Sequence, residues 1–89
     1  MEEEFLSPEA AAQYLVRRHQ DLSKCRAALL GNDFQIMENV GHNLKGNGLS
    51  FGYPLLSSIG EEMENAARMK SFLDCSNCVQ QLEDFLHQI

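Results

Sequence analysis

The chain has 89 residues, enough for one small domain with a single hydrophobic core. Thirteen acidic against seven basic residues give a net charge of -6, which excludes a general nucleic-acid binder because backbone phosphates would be repelled. No apolar run approaches the roughly 20 residues that span a bilayer. The acidic start MEEEFLSPE is typical of neither a signal peptide nor a transit peptide, so we expect a cytoplasmic protein without membrane insertion.

Helical periodicity predicts four helices, at about residues 8–30, 33–49, 53–69 and 74–88. Ser7 before Pro8 is a typical helix start, Gly31 ends the first helix, and Pro54 opens the third. Residues 1–5 form an acidic lead that is expected to fray. Short links imply that neighbouring helices are antiparallel, so the sequence predicts an all-α fold, an antiparallel up-down four-helix bundle that forms one domain over residues 1–89.

Three cysteines cannot all pair within one chain, and reduced thiols are expected in a cytoplasm. Cys75 and Cys78 form a single C-x-x-C motif, but structural zinc needs four ligands and the sequence has no second pair. A redox dithiol normally follows a strand, and no strand pattern occurs. We therefore predict that these cysteines pack in the core at the start of the last helix, and we expect no metal site and no cofactor.

The predicted second helix contains more glycine than a helix built for stability alone. Each of Gly41, Gly46 and Gly48 costs about 1 kcal/mol relative to alanine. Helical geometry places Gly41 and Gly48 on the buried face, where they would let the second and third helices approach closely. His42 points into solvent, with Lys45 and Gly46 beside it one turn further on. An exposed imidazole with an open approach and a nearby cation is suited to accepting a phosphoryl group.

A series of residues around and after His42 matches a known motif. The series consists of His42-Asn43-Leu44-Lys45-Gly46, Phe51-Gly52, Leu56, Ile59 and Met63-Glu64-Asn65-Ala66-Ala67. Its spacing resembles the histidine-containing phosphotransfer (HPt) domain family. The resemblance implies a phosphocarrier of a two-component phosphorelay, with His42 as the phosphohistidine and with no kinase or hydrolase activity of its own.

The resemblance also implies roles for the residues near His42. Glu64 matches a position at which HPt domains hold a glutamate or glutamine that hydrogen-bonds Nδ1 of the histidine. Such a bond leaves Nε2 free to attack phosphorus, so we predict phosphorylation of His42 at Nε2. Lys45 and Arg68 would offset the phosphoryl charge, and Gly46 would keep the approach open. The alternative is that Glu64 is a solvated residue that pairs only with Arg68.

The implied partners are a response-regulator receiver domain, a histidine kinase, or both. Mg²⁺ is expected on the receiver domain and not on this chain. Because Glu64 is also similar to the corresponding residue of chemotaxis kinases, one alternative is a phosphoacceptor domain excised from a larger chemotaxis-type or hybrid histidine kinase. Another alternative is a helical adaptor that is never phosphorylated, although the glycine content of the second helix argues against it.

Overall fold

The computed structural model describes residues 7–89, so the acidic lead predicted for residues 1–5 lies outside the described part of the chain. Within that part the secondary structure is entirely helical, with no strand, which confirms the all-α class. The four helices are α1 Pro8–Leu30, α2 Phe34–Ser50, α3 Pro54–Arg68 and α4 Phe72–Gln88. None of these helices is long and apolar enough to cross a membrane.

Side-chain caps define where three of the helices begin. The Ser7 hydroxyl and the Asp33 carboxylate each accept a hydrogen bond from the backbone amide three residues further on, at 3.1 Å and 3.3 Å. Helix α4 begins at Phe72, two residues before the predicted start near residue 74. The reason is that Ser71 provides a cap of the same kind, after Lys70 has turned the chain with a φ of 54°. A cap of this kind stabilises a helix by about 1 kcal/mol.

The helices pack in a ring in which α2 contacts α1 and α3, and α4 also contacts α1 and α3. All four helices contribute apolar side chains to one buried core. Its members are Tyr14, Cys25, Ala28, Met37, Val40, Leu44, Leu56, Ile59, Met63, Ala66, Ala67, Cys75, Cys78, Val79, Leu82 and Leu86. The two cysteines of the C-x-x-C motif therefore lie in the core, among the apolar residues of α4.

The buried face of α1 differs from the face that periodicity predicts. Helical spacing predicts a buried stripe at Ala11, Leu15, Leu22, Cys25 and Leu29, of which Cys25 is fully buried and the others are only partly buried. Tyr14 and Arg18, outside this stripe, are also buried. The Tyr14 ring stacks on Phe51 in the link between α2 and α3, at 4.2 Å between centroids, and the Arg18 guanidinium lies 4.4 Å from the Tyr14 centroid. The stacking on Phe51, in a distant segment, therefore buries a residue of α1 that lies beside its predicted apolar stripe.

Three glycines bring the backbones of α2 and α3 together. A Cβ atom built on Gly41 would lie 2.6 Å from the backbone nitrogen of Glu64, and one built on Gly48 would lie equally close to the backbone of α3. From the other side, a Cβ atom on Gly60 would lie 2.6 Å from the backbone nitrogen of Lys45. Only glycine fits at these positions. The close approach predicted from Gly41 and Gly48 is therefore confirmed, and Gly60 supplies a third contact.

Candidate functional site

His42 stands on the solvent-facing side of α2. Its side chain is 67% exposed, whereas Gly41 and Leu44 on the opposite face are buried. One turn further on, Lys45 is also exposed, and a Cβ atom built on Gly46 would meet nothing within 4 Å. The imidazole is therefore open to a large reactant on the side of Gly46.

The inner nitrogen of the imidazole contacts a buried acid on the neighbouring helix. Nδ1 of His42 lies 3.0 Å from Oε2 of Glu64, whose side chain is only 2% exposed. An ionised carboxylate can only accept hydrogen bonds, so this pairing assigns the proton of the neutral ring to Nδ1. Nε2 then keeps a free lone pair. The contact across the two helices is short because Gly41 and Gly60 let α2 approach α3.

Two cations neutralise this buried carboxylate. Nη2 of Arg68 donates a hydrogen bond to Oε2 of Glu64 at 2.8 Å, and Nζ of Lys45 lies 3.1 Å from Oε1. The Lys45 contact is an ion pair without hydrogen-bond alignment, since Oε1 has no aligned donor among residues 7–89. Withdrawing a carboxylate from water is costly unless such partners surround it. The site is therefore a buried acid shared by one imidazole and two basic side chains.

These partners keep Glu64 ionised. The Lys45 ammonium lowers the pKa of Glu64 most, and burial opposes this effect. The hydrogen bond from His42 and the charge of Arg68 lower the pKa further, so that it lies below the ordinary value of 4.5. Glu64 is a carboxylate at neutral pH, which is the form that accepts a hydrogen bond from Nδ1.

The structure brings His42, Glu64, Lys45 and Arg68 together, and Gly46 lies beside them with open space around it. The alternative of a solvated Glu64 is wrong, because the carboxylate pairs with Arg68 but is buried. The match with HPt domains predicts the role of Glu64 but not the depth at which it is buried. Its depth follows from the glycine contacts, which remove the side chains that would otherwise separate the two helices.

Sequence reasoning missed Ser57, a buried residue of α3. Its hydroxyl donates a hydrogen bond to the carbonyl oxygen of Lys45 at 2.9 Å and accepts one from the amide of Leu49 at 2.8 Å. The available signal was its position between Leu56 and Ile59 on the apolar side of α3, where a buried hydroxyl needs a partner.

Comparison with protein families gives one result that covers most of the chain. The Hpt domain model matches residues 9–89, a span that contains the whole cluster around His42. Comparisons with curated proteins and with solved structures gave no match. Hpt domains are phosphocarriers and are neither kinases nor hydrolases. The family match confirms the resemblance seen in the sequence: the chain belongs to the Hpt domain family, which implies histidine phosphotransfer in two-component signalling.

Proposed function

We propose that this chain carries a phosphoryl group on Nε2 of His42, between a donor and the aspartate of a receiver domain. The observation that supports this most directly is the 3.0 Å contact between Nδ1 of His42 and the buried Glu64. It pairs the inner ring nitrogen with an acceptor and leaves the outer nitrogen available on a side chain that is 67% exposed. A nucleophile oriented by a buried acid is the arrangement that group transfer to a histidine requires.

The chemical step is a displacement at phosphorus. Nε2 of His42 attacks the phosphorus of an aspartyl phosphate, and the N–P bond forms as the P–O bond to the aspartate breaks. The departing carboxylate takes the electron pair of that bond. Nδ1 keeps its proton, so the phosphorylated ring acquires imidazolium character, and the negative charge of Glu64 stabilises it. The reverse step passes the phosphoryl group to another aspartate.

Lys45 and Arg68 provide the electrostatic part of the mechanism. Their side chains are 44% and 55% exposed, so both extend from the Glu64 carboxylate toward solvent beside the ring. Their charges offset those of the phosphoryl group and of an acidic receiver pocket, which is the main contribution that proteins make to phosphoryl transfer. Gly46 leaves space for the body of the partner.

The partner in this proposal is a response-regulator receiver domain, a histidine kinase, or both, and the setting is the cytoplasm. The receiver domain supplies the aspartate and Mg²⁺. The chain itself uses no cofactor and has no kinase or hydrolase activity. The family match supports this assignment, because Hpt domains are phosphocarriers and are neither kinases nor hydrolases.

The proposal includes the up-down antiparallel order of the bundle. Along α2 the glycine contacts run from Gly41 to Gly48, while their neighbours on α3 run backwards from Glu64 to Ser57. The links between consecutive helices are short, and short links favour antiparallel neighbours. Both features support the predicted order.

The experiment is to incubate the chain with a phosphorylated receiver domain and to follow the label. Wild type should acquire an acid-labile, alkali-stable label, and NMR should assign it to Nε2. His42→Gln should remain unlabelled, and His19→Gln, a change at an exposed histidine of α1, should be labelled normally. Labelling of His42→Gln would show that His42 is not the phosphorylated residue. A label on Nδ1 would show that Glu64 does not orient the ring as proposed.

The labelling assay also tests the first alternative, and measurements of binding and output test the second. If a kinase catalytic domain labels the chain and phosphorylated receivers do not, the chain is a phosphoacceptor domain of a larger histidine kinase. If His42→Gln leaves partner binding and downstream output unchanged, the chain is an adaptor.

A further inference from the structure

Two carboxylates on different helices hold Arg68. Its Nη2 donates a hydrogen bond to Oε2 of Glu64 at 2.8 Å, and its Nε donates one to Oε2 of Glu38 at 3.1 Å. Glu38 lies on α2, four residues before His42, and therefore one helical turn away on the same side. The guanidinium bridges α2 and α3 directly beside the imidazole.

The two acids hold Arg68 in different ways. The Glu64 carboxylate is 2% exposed and also contacts His42 and Lys45, so its position is fixed. The Glu38 side chain is 30% exposed, and Arg68 is its only ion-pair partner among residues 7–89. Ion pairs with this much exposure are weak because water screens them. The bond to Glu38 is therefore the one that Arg68 gives up when a stronger anion arrives.

A phosphoryl group on His42 is such an anion. It brings between one and two negative charges, on the order of a phosphorylated side chain at neutral pH. Oε2 of Glu64 contacts both the imidazole and Arg68, so the guanidinium already lies next to the ring that becomes phosphorylated. More than half of the Arg68 side chain is exposed, so little packing opposes a turn of the guanidinium away from Glu38.

We infer that Glu38 is a positioning residue that competes with the phosphoryl group for Arg68. This competition makes the phosphorylated form of His42 less stable. This inference rests on the proposed function of His42. Glu38 opposes phosphorylation in two ways: it withholds Arg68 from the phosphoryl group, and its own charge repels that group. Both effects raise the free energy of the phosphorylated form. A phosphocarrier benefits, because a group that is held too tightly is not passed on.

The test measures the equilibrium of phosphoryl exchange with a small donor and needs no partner protein. N-phosphoimidazole gives its phosphoryl group to Nε2 as its own P–N bond breaks and imidazole leaves, and excess imidazole makes the exchange reversible. ³¹P NMR measures phosphohistidine and N-phosphoimidazole separately, and the known total protein concentration then gives the ratio of phosphorylated to free His42. Glu38→Gln keeps the shape of the side chain and should shift the ratio toward phosphohistidine by about threefold or more.

Asp84→Asn is the matched control. It removes one negative charge from an exposed side chain of α4, so it changes the net charge by the same amount as Glu38→Gln. Its ratio should equal that of wild type. If wild type is phosphorylated and Glu38→Gln has the same ratio, the inference is wrong while the proposed function stands. If wild type takes no phosphoryl group from either this donor or a phosphorylated receiver, both are wrong.

Two further measurements test whether Glu38 acts through Arg68. In an Arg68→Gln background, Glu38→Gln should shift the ratio less, since only the direct repulsion between Glu38 and the phosphoryl group remains. An undiminished shift there would overturn the competition. In wild type, the ¹⁵N and ¹H signals of the Arg68 Nε–H group should move on phosphorylation, because that group leaves Glu38. An unmoved signal would likewise contradict the inference.

Discussion

The Ser57 hydroxyl on α3 donates a hydrogen bond to the carbonyl oxygen of Lys45 on α2 at 2.9 Å. It also accepts one from the amide of Leu49, so a side chain of α3 contacts two backbone groups that a regular helix pairs with each other. Gly48 makes room for it, since a Cβ atom there would lie 2.8 Å from the hydroxyl oxygen. Ser57 of α3 therefore fixes the position of the turn of α2 that carries Lys45.

Ser57→Ala should lower the free energy of unfolding by about 1–2 kcal/mol, because two backbone groups of α2 lose their shared hydrogen-bond partner on α3. Urea denaturation measures the change. Ser58→Ala, at the adjacent exposed position, is the control and should change the stability by less than about 0.5 kcal/mol. Equal stabilities of the two variants would show that the interhelical hydrogen bonds make no net contribution.

Gly60→Ala should lower the free energy of unfolding by about 2–3 kcal/mol, since the new methyl group would lie 2.6 Å from Cβ of Leu44 and must push α2 and α3 apart. The His42 Nδ1–H signal should broaden or disappear from NMR spectra as the contact with Glu64 lengthens. Gly31→Ala, where a Cβ atom meets nothing within 4 Å, should do neither.

Gly46→Ala should have opposite effects on stability and on function. The position is helical and exposed, and a Cβ atom there has open space, so alanine should raise the free energy of unfolding by about 1 kcal/mol. Phosphoryl transfer from a receiver domain should nevertheless slow, because the methyl group occupies the approach to His42. A stabilised variant with an unchanged transfer rate would remove Gly46 from the proposed site.

The lowered pKa of Glu64 predicts the sign of a pH effect. In the folded chain its pKa lies below the ordinary value of 4.5, chiefly because of the Lys45 ammonium. The ionised carboxylate therefore adds stability above pH 4.5, and this contribution is lost as the pH falls through the lower folded-state pKa. The stability difference between wild type and Glu64→Gln should shrink below about pH 4.5.

The three cysteines should be unreactive in the folded chain. Burial raises the pKa of Cys25 to about 12 and that of Cys78 to about 11, and it also raises the pKa of Cys75. Since the thiolate is the reactive form, iodoacetamide at pH 7 should label the denatured chain and leave the native chain unlabelled. Rapid labelling of native Cys75 or Cys78 would revive a redox role for the C-x-x-C motif.

The sequence was sufficient to predict the features that depend on local physics. The four helices follow from apolar periodicity and from end signals such as Pro54. The exposure of His42 and the burial of Gly41 follow from angles along a single helix. Each of these properties depends on residues within a few turns of one another, so helical periodicity is sufficient to predict it.

Features that depend on a distant segment were missed or misplaced. The burial of Tyr14 depends on Phe51, which belongs to the link between α2 and α3. The roles of Ser57 and Glu38 require knowing which turns of α2 and α3 lie side by side. The periodicity of one helix predicts which face a residue lies on. It does not predict which residue of the neighbouring helix it contacts.

Because of the glycine contacts, the interface between α2 and α3 should tolerate fewer substitutions than the rest of the core. Elsewhere the core is made of side chains, which can change rotamer or size together and still fill the interior. Between Gly41 and Gly60 main chain meets main chain, and no intervening layer exists to absorb a change. In related chains, the residues on the inner faces of α1 and α4 should therefore vary freely. The distance between the imidazole and the acid should stay constant, because the backbones of α2 and α3 fix it.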